Sequence, residues 1–390
     1  MDIKKAVATS DSPIGDNEYH NFWLDLAYSE EAVMARSDAI WQQLRHSPDY
    51  GFAVESADEL YFYDTGNNDV RTEGQSYGMT LAVFMNDQAA FDKTWRWTLN
   101  HMYLTEGPCR GYFAWSVPLD GSPRAQGPAP DGEEFFAYSL ILAHQRWGQG
   151  EATDEYCLDI PYFDYLAWAK QILHDVLHRN EGEAGPMWTE NNLIQFVPNA
   201  TFTDPSYHLP HVYHLFADYA NEADRGRWLA IEQASLDYLP KSIHPLTGMN
   251  PEYSSYEGEA ITGHDHHNFF SDAYRTHLNV ALAGTWPGRT KEQWMIDMAE
   301  SLAEFFWEIP TDEFRRYELD GTDGGRFSRH PIGLLGSLAS TYMLSQTAET
   351  EALARRFWDS QLRTGHRRYY DNFLYAFAFL ALAGTYRGSY

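Results

Sequence analysis

Residues 373–382 read Phe373-Leu374-Tyr375-Ala376-Phe377-Ala378-Phe379-Leu380-Ala381-Leu382, a run with no charge on any side of a helix. A helix apolar around its whole circumference is one buried on all sides. A second run, Gly78-Met79-Thr80-Leu81-Ala82-Val83-Phe84-Met85, has nearly the same character. Working outward, helix-period segments recur near 29–46, 73–86, 87–104, 131–147, 160–178, 205–221, 224–240, 268–285, 290–309, 328–345, 349–362 and 370–384. Segments such as 29–46, 224–240 and 349–362 carry charge on one side and read as outer helices. The two kinds alternate, with all-apolar starts near 73, 131, 205, 268, 328 and 370. Six inner and six outer helices predict an all-α (α/α)6 barrel, a toroid of six hairpins. The last inner helix has no following partner, so the helix at 29–46 is expected to close the ring. Strand-like alternation is local, as in Glu59-Leu60-Tyr61-Phe62-Tyr63. No linker divides the chain, so residues 1–390 are expected to form one domain, with 1–16 a flexible N-terminal segment.

In such a ring every inner helix begins at the same end. The residues at those starts are Glu73, Asp131, Asp204, Asp272, His330 and Asp371. Capping and the helix dipole account for any one of the acidic starts. Six polar starts converging on one rim point to a cleft there.

Composition limits what that cleft takes. The net charge is −28, which repels nucleic-acid phosphates and anionic membrane surfaces. A neutral sugar is indifferent to that field. The aromatic share is high, with 13 Trp and 26 Tyr, enough to supply stacking rings as well as core. Cys109 and Cys157 have neither metal-type spacing nor a disulfide framework. The N-terminus lacks the apolar core of a secretory signal, and no run is long enough to span a bilayer. A cytoplasmic monomer without nucleic-acid or membrane partners is expected.

Three motifs carry the chemistry. In Asp69-Val70-Arg71-Thr72-Glu73-Gly74-Gln75-Ser76-Tyr77-Gly78-Met79 the glycines and Ser76 leave little bulk around Glu73, so a ligand is expected to approach closely. Apolar and aromatic surroundings favour the neutral carboxyl, which suits a general acid. In Gly127-Pro128-Ala129-Pro130-Asp131-Gly132-Glu133-Glu134 a stiff loop delivers Asp131, while Glu133 and Glu134 are expected to favour the helix N-terminus through its dipole. In His267-Asn268-Phe269-Phe270-Ser271-Asp272-Ala273-Tyr274-Arg275 the arginine lies on the same helical face as Asp272 and keeps it ionised, as a general base requires. Two carboxylates with opposed environments are what glycosidic hydrolysis needs. The segment His264-Asp265-His266-His267 is the most metal-like, but adjacent histidines on a helix point apart and no complementary ligand pair is evident. No metal and no cofactor is expected.

The segments RTEGQSYGM, APDGEEFFA and FFSDAYR resemble the active-site segments of glycoside hydrolase family 8. DTGNNDVRTEG, TWRWTLNHMYLTEG, GYFAWS, FTDPSYHLPHVYHLF, RHPIGL and RTGHRRYYDN are similar to their counterparts in the same order, so the likeness runs from about Asn17 to about Thr385. It is greatest to the exo-acting members that free xylose from the reducing end of β-1,4-xylo-oligosaccharides. The resemblance implies an (α/α)6 barrel and inversion at the anomeric carbon. It implies Glu73 as general acid, Asp272 as general base, and Asp131 as the carboxylate holding the distorted sugar. Tyr207 matches a tyrosine near the attacking water, Arg275 an arginine beside the base, and Trp115 a platform on the non-reducing side. Tyr369 and Tyr370 match aromatics near the cleft. His330 matches a histidine that blocks the cleft past the first reducing-side subsite, and Arg329 stands where a leucine is expected.

Other classes fit parts of this pattern. An endo-acting xylanase, glucanase or chitosanase needs a cleft open at both ends. A sugar epimerase or isomerase on the same toroid works through histidines, and a silent carbohydrate-binding protein lacks one of the two carboxylates. A folded Glu73→Ala variant is expected to lose xylotriose hydrolysis by ~10²–10⁴-fold or more; wild-type-like rates would remove Glu73 from the mechanism.

Overall fold

The C-terminal apolar run forms a helix, Arg368–Leu382, in which every residue from Tyr369 to Leu382 is buried. Such a helix needs packed neighbours on all sides. A computed structural model supplies them, describing residues 19–150, 156, 158–179, 184–263 and 265–390. The expected N-terminal segment 1–16 lies outside the described residues. Among them the α-helices are α1 (Phe22–Asp25), α2 (Glu30–His46), α3 (Thr72–Phe84), α4 (Gln88–His101), α5 (Pro130–Trp147), α6 (Tyr165–His178), α7 (Pro210–Tyr219), α8 (Arg225–Ser242), α9 (Arg275–Thr285), α10 (Gln293–Phe306), α11 (Pro331–Ala339), α12 (Ala348–Asp359) and α13 (Arg368–Leu382).

Helices α3, α5, α7, α9, α11 and α13 each pack on the next, and α13 packs back on α3. Helices α4, α6, α8, α10 and α12 pack outside the inner helix that precedes each, and α2 packs on α13. This is the (α/α)6 barrel, closed by the N-terminal helix as the alternation predicted. Helix α2 shows why it lies outside: it buries Val33, Ser37, Ile40, Trp41 and Leu44 along one stripe. No helix among the described residues is long and apolar enough to cross a membrane.

The two rings end differently. Outer helices α2, α4, α6 and α12 begin at Ser29, Asp87, Asp164 and Thr347, each accepting a first-turn N–H through its side chain. No inner helix has a side-chain cap from its own N-cap residue. The polar groups at the inner starts are engaged elsewhere.

Three inner helices start later than the periodicity suggested. Helices α7 and α11 begin at Pro210 and Pro331 rather than near 205 and 328. Proline suits a first helical position and keeps the residue before it out of helical geometry. Short 3₁₀ turns, Pro205–Tyr207 and Ser271–Tyr274, precede α7 and α9. Tyr207 and Asp272 therefore stand on turns at the rim.

Among the described residues two small sheets lie beside the ring. Strands β1 (Ala53–Glu55), β2 (Leu60–Asp64), β3 (Asp69–Arg71) and β4 (Ser116–Pro118) form an antiparallel sheet in that order, and β2 is the segment whose alternation was visible. Strands β5 (Arg315–Tyr317) and β6 (Asp323–Phe327) form a hairpin that periodicity missed. The sheet matters for position: β3 runs into α3, Arg71 pairs with Ser116, and the Thr72 N–H donates to the Trp115 carbonyl at 3.0 Å.

Helices α3 and α5 approach closely at their starts. A Cβ on Gly132 would lie 2.4 Å from Thr72 Cβ, both β-carbons being held by helical backbone. Gly132→Ala should therefore destabilise the fold by ~1–3 kcal/mol through overpacking, despite the better helix propensity of alanine. Calorimetry reads this as a lower Tm; an unchanged or raised Tm would mean the two helices have room to part.

Candidate active site

Glu73 is the second residue of α3, delivered to the rim by β3. Its side chain is 15% exposed. Tyr369 donates its hydroxyl to Glu73 Oε1 at 3.2 Å, and Arg275 Nη1 donates to Oε2 at 3.1 Å. The neighbouring glycines act differently from the expectation that they admit a ligand. A Cβ on Gly74 would lie 2.3 Å from the Tyr369 hydroxyl, and one on Gly78 would strike the Phe62 ring. They make room for the protein's own side chains, and Gly74 lets Tyr369 reach Glu73.

Arg275 is the centre of the cluster. The first residue of α9, it is 7% exposed and touches four carboxylates: Asp131 at 3.0 Å, Glu73 at 3.1 Å, Asp204 at 3.4 Å and Asp272 at 3.9 Å. It also donates to the Tyr77 hydroxyl at 3.3 Å and lies over the rings of Tyr207 and Tyr370. The expectation that Arg275 serves Asp272 above all is thus too narrow, since Asp272 is the most distant of the four.

One cation cannot balance four anions in a closed space. Burial pushes the Glu73 carboxyl up to about 8, with Asp131 and Asp272 adding to the rise and Arg275 opposing it. Burial raises Asp131 as well, and takes Asp204 up to about 7. Asp272 differs in setting: its side chain is 34% exposed, on the 3₁₀ turn before α9. The arrangement can hold a proton on Glu73, while the Asp272 side chain stands open to water.

Capping explains less of the rim than it might. Asp204 caps the turn Pro205–Tyr207, accepting the Ser206 N–H at 2.7 Å. Asp371 caps α11 rather than its own helix, its Oδ1 accepting the N–H groups of Ile332 at 2.9 Å and Gly333 at 3.0 Å. Its Oδ2 accepts from Arg363 and lies 3.0 Å from His330 Nδ1. His330 therefore does not cap α11. Glu133 and Glu134 likewise do more than favour a dipole. Glu133 accepts the Phe113 N–H and Glu134 the Tyr213 hydroxyl, and burial pushes both carboxyls well up.

The cleft has two halves that meet at Arg71, Glu73 and Asp272. One half, of about 390 Å³, is walled by Trp115, Phe196, Tyr207 and Tyr253, with Asp131 and Arg275 at its floor. Trp115 is 41% exposed, its ring backed by the Arg71 guanidinium, which suits a sugar platform. The other half, of about 470 Å³, is polar, lined by His330, Tyr369, Tyr370, Glu252 and several arginines. The Tyr370 ring meets the His330 imidazole edge-on at 4.7 Å, and its hydroxyl donates to the Ser271 carbonyl. All nine residues expected at the site therefore line the cleft or its floor.

Sequence reasoning missed Phe196, Val197, Tyr253 and Glu252, which sit in irregular segments between α6 and α9. Burial pushes Glu252 up to about 9, with Asp272 and Asp204 adding to the rise, and His266 Nδ1 lies 3.2 Å from it. The metal-like segment is otherwise engaged: Asp265 pairs with Arg316 and Arg326, and His267 lies 3.7 Å from Glu318; His264 is outside the described residues. Among the described residues one group has metal-compatible spacing, His174, His178 and Asp224, and none of the three lines the cleft.

Comparison with known proteins gives a consistent set. The family described as Glycosyl hydrolases family 8 matches residues 61–323. A reducing-end xylose-releasing exo-oligoxylanase of Paenibacillus barcinonensis is 43% identical over 95% of this chain and 96% of its own length. Another, of Halalkalibacterium halodurans, is 42% identical over 97% of this chain and 96% of its own length. The crystal structure of a mutant reducing-end-xylose releasing exo-oligoxylanase complexed with xylobiose has a TM-score of 0.90 and 41% identity, covering 96% of this chain and 98% of that one.

The charge distribution sets a pH dependence. A general acid acts in its protonated form, so Glu73, in the role expected of it, would be competent below its raised value and lose competence above it. The alkaline limb of kcat/KM should fall with a midpoint near pH 8. A limb that stays flat to pH 10, or falls already near pH 5, would contradict the assignment.

Proposed function

The chain belongs to glycosyl hydrolase family 8, and from that premise we propose that it hydrolyses β-1,4-xylo-oligosaccharides with inversion, releasing xylose from the reducing end. The observation that carries this reading is the position of Glu73 and Asp272 at the junction of an aromatic half-cleft and a polar one lined by His330. In this reading the non-reducing part of the substrate stacks on Trp115, and the leaving sugar fills the polar half.

Glu73 gives its proton to the glycosidic oxygen as the bond to C1 breaks. Water adds to C1 from the opposite face, and Asp272 takes the proton it sheds. The hydroxyl ends on the face opposite the departing sugar, so the β-linked substrate yields an α-configured product. Asp131, bonded to Arg275 at the floor, holds the distorted ring at the cleavage position, and Tyr207 stands beside the attacking water. Arg275 fixes the carboxylates relative to one another. Tyr369 orients Glu73 through its hydroxyl, and Tyr370 flanks His330.

The exo mode rests on His330. With Nδ1 turned to Asp371, its Nε2 is free to bond the reducing-end hydroxyl of the last sugar. The ring is held from two sides, by Asp371 and Tyr370, so it acts as a fixed stop. An open cleft suited to an endo-enzyme is disfavoured for that reason. The epimerase alternative is disfavoured because the acid–base pair at the junction is made of carboxylates. The reading extends to a monomer of one catalytic domain in the cytoplasm, taking oligomers that other enzymes cut from polymer.

A time course on xylotriose labelled at its reducing end should show labelled xylose and unlabelled xylobiose as first products. His330→Ala should release labelled disaccharide from longer oligomers or begin to act on polymeric xylan. If the wild type instead lowers the viscosity of xylan well before xylose appears, the endo-acting reading is right.

A further inference from the structure

The polar half of the cleft mixes five carboxyl side chains with arginines that a neutral sugar does not require. Four arginines line it. Two are held by carboxylates: Arg71 by Asp69 and Asp64, and Arg326 by Asp265, which also pairs with Arg316. Arg329 and Arg367 are not. Neither guanidinium makes an ion pair or a hydrogen bond with any described residue, and both face the same cavity. Arg329 is exposed and lies 5.7 Å over the Phe270 ring, a contact that steadies it without using its donors. In a chain of net charge −28, where carboxylates outnumber basic side chains two to one, unpaired guanidinium groups inside a cleft call for a ligand-side explanation.

Position narrows that ligand. This step rests on the reading that the polar half holds the leaving unit, with C1 of its terminal residue against His330. Arg329 immediately precedes His330 and lines the same cavity. A leucine, which the family resemblance leads one to expect at 329, offers C1 no charge. A guanidinium offers a planar fork of donors that matches a carboxylate.

We propose that this closed end also accepts a terminal unit oxidised at C1, so that the enzyme hydrolyses xylo-oligosaccharides ending in xylonic acid and releases xylonate. The bond broken is the ordinary one, between C1 of the penultimate xylose and O4 of the terminal unit. Glu73 protonates that O4, water adds to C1, and Asp272 receives the water's proton. The aldonate carboxylate is a spectator, carrying one negative charge before and after, and no oxidant or reductant takes part. Arg329 is its first partner, with Arg367 adding to the local positive potential. Repulsion from Asp272, from the other carboxyl groups lining the cavity and from the chain's overall charge opposes it, so both guanidinium groups matter.

The test compares kcat/KM for xylotriose, for xylotrionic acid, and for a xylotriose carrying a glucuronyl group on its reducing-end unit. The wild type should cleave xylotrionic acid with kcat/KM within about tenfold of xylotriose, and raising the salt should lower the aldonate-to-xylotriose ratio because the pairing charges are partly exposed. Arg329→Leu should cut that ratio by about tenfold or more, and Arg329→Lys, which keeps the charge, should cut it less. A ratio is used so that any general loss in the variant cancels, and Arg367→Gln gives an independent variant whose ratio should also fall. A wild type that cleaves xylotriose but not xylotrionic acid, or a ratio untouched by both substitutions, overturns the proposal while leaving the xylose-releasing reading intact. Acceptance of the glucuronyl substrate alone places the carboxylate on a substituent and overturns the assignment to C1. Failure to cleave xylotriose at all overturns the underlying reading instead.

Discussion

One guanidinium holds the site together. Arg275 is buried at the start of α9 and touches Glu73, Asp131, Asp204 and Asp272, which come from four different parts of the ring. Removing such a cation would leave buried carboxylates facing one another, a far larger cost than any surface pair carries. Keeping it does not neutralise them either, so protons are retained where water is scarcest. A raised affinity for a proton at Glu73 is what a general acid among these carboxyls requires. The same arrangement accounts for the uncapped inner helices: their rim carboxylates are committed to Arg275, to a neighbouring helix or to the cleft.

The two halves of the cleft do different work with different physics. The aromatic half offers Trp115, Phe196, Tyr207 and Tyr253, rings whose area suits stacking on sugar faces. The polar half offers hydrogen bonds and charge, which reward a chain end of matching chemistry. On the proposed reading, grip on one side and selectivity on the other would suit an enzyme that keeps the longer product while sorting the shorter one.

Much of this was legible in the sequence because the ring is periodic. All-apolar runs such as 373–382 identified inner helices, and one-sided charge identified α2 as the missing outer partner. The late starts of α7 and α11 were written in Pro210 and Pro331, but the apolar signal continued through them. Asp272 could be found by its motif, whereas its place on a 3₁₀ turn could not. Phe196, Tyr253 and Glu252 escaped because irregular segments carry no period, and their neighbours are set by the fold alone. Gly74 was read correctly as making space and wrongly as making it for a ligand, since a glycine does not reveal what fills the room it leaves.

The Asp371 carboxylate is used twice, one oxygen on the first N–H groups of α11 and the other beside the His330 imidazole. Where His330 serves as the proposed stop, that stop is bolted to a seam between two barrel staves. On that reading, change at position 330 alone would retune product length and leave the barrel standing, whereas change at 371 would strike the barrel and the stop together. Over evolutionary time, drift between end-cutting and mid-chain cutting should therefore pass through the imidazole or the loop that bears it, and the carboxylate beneath should stay fixed under both regimes.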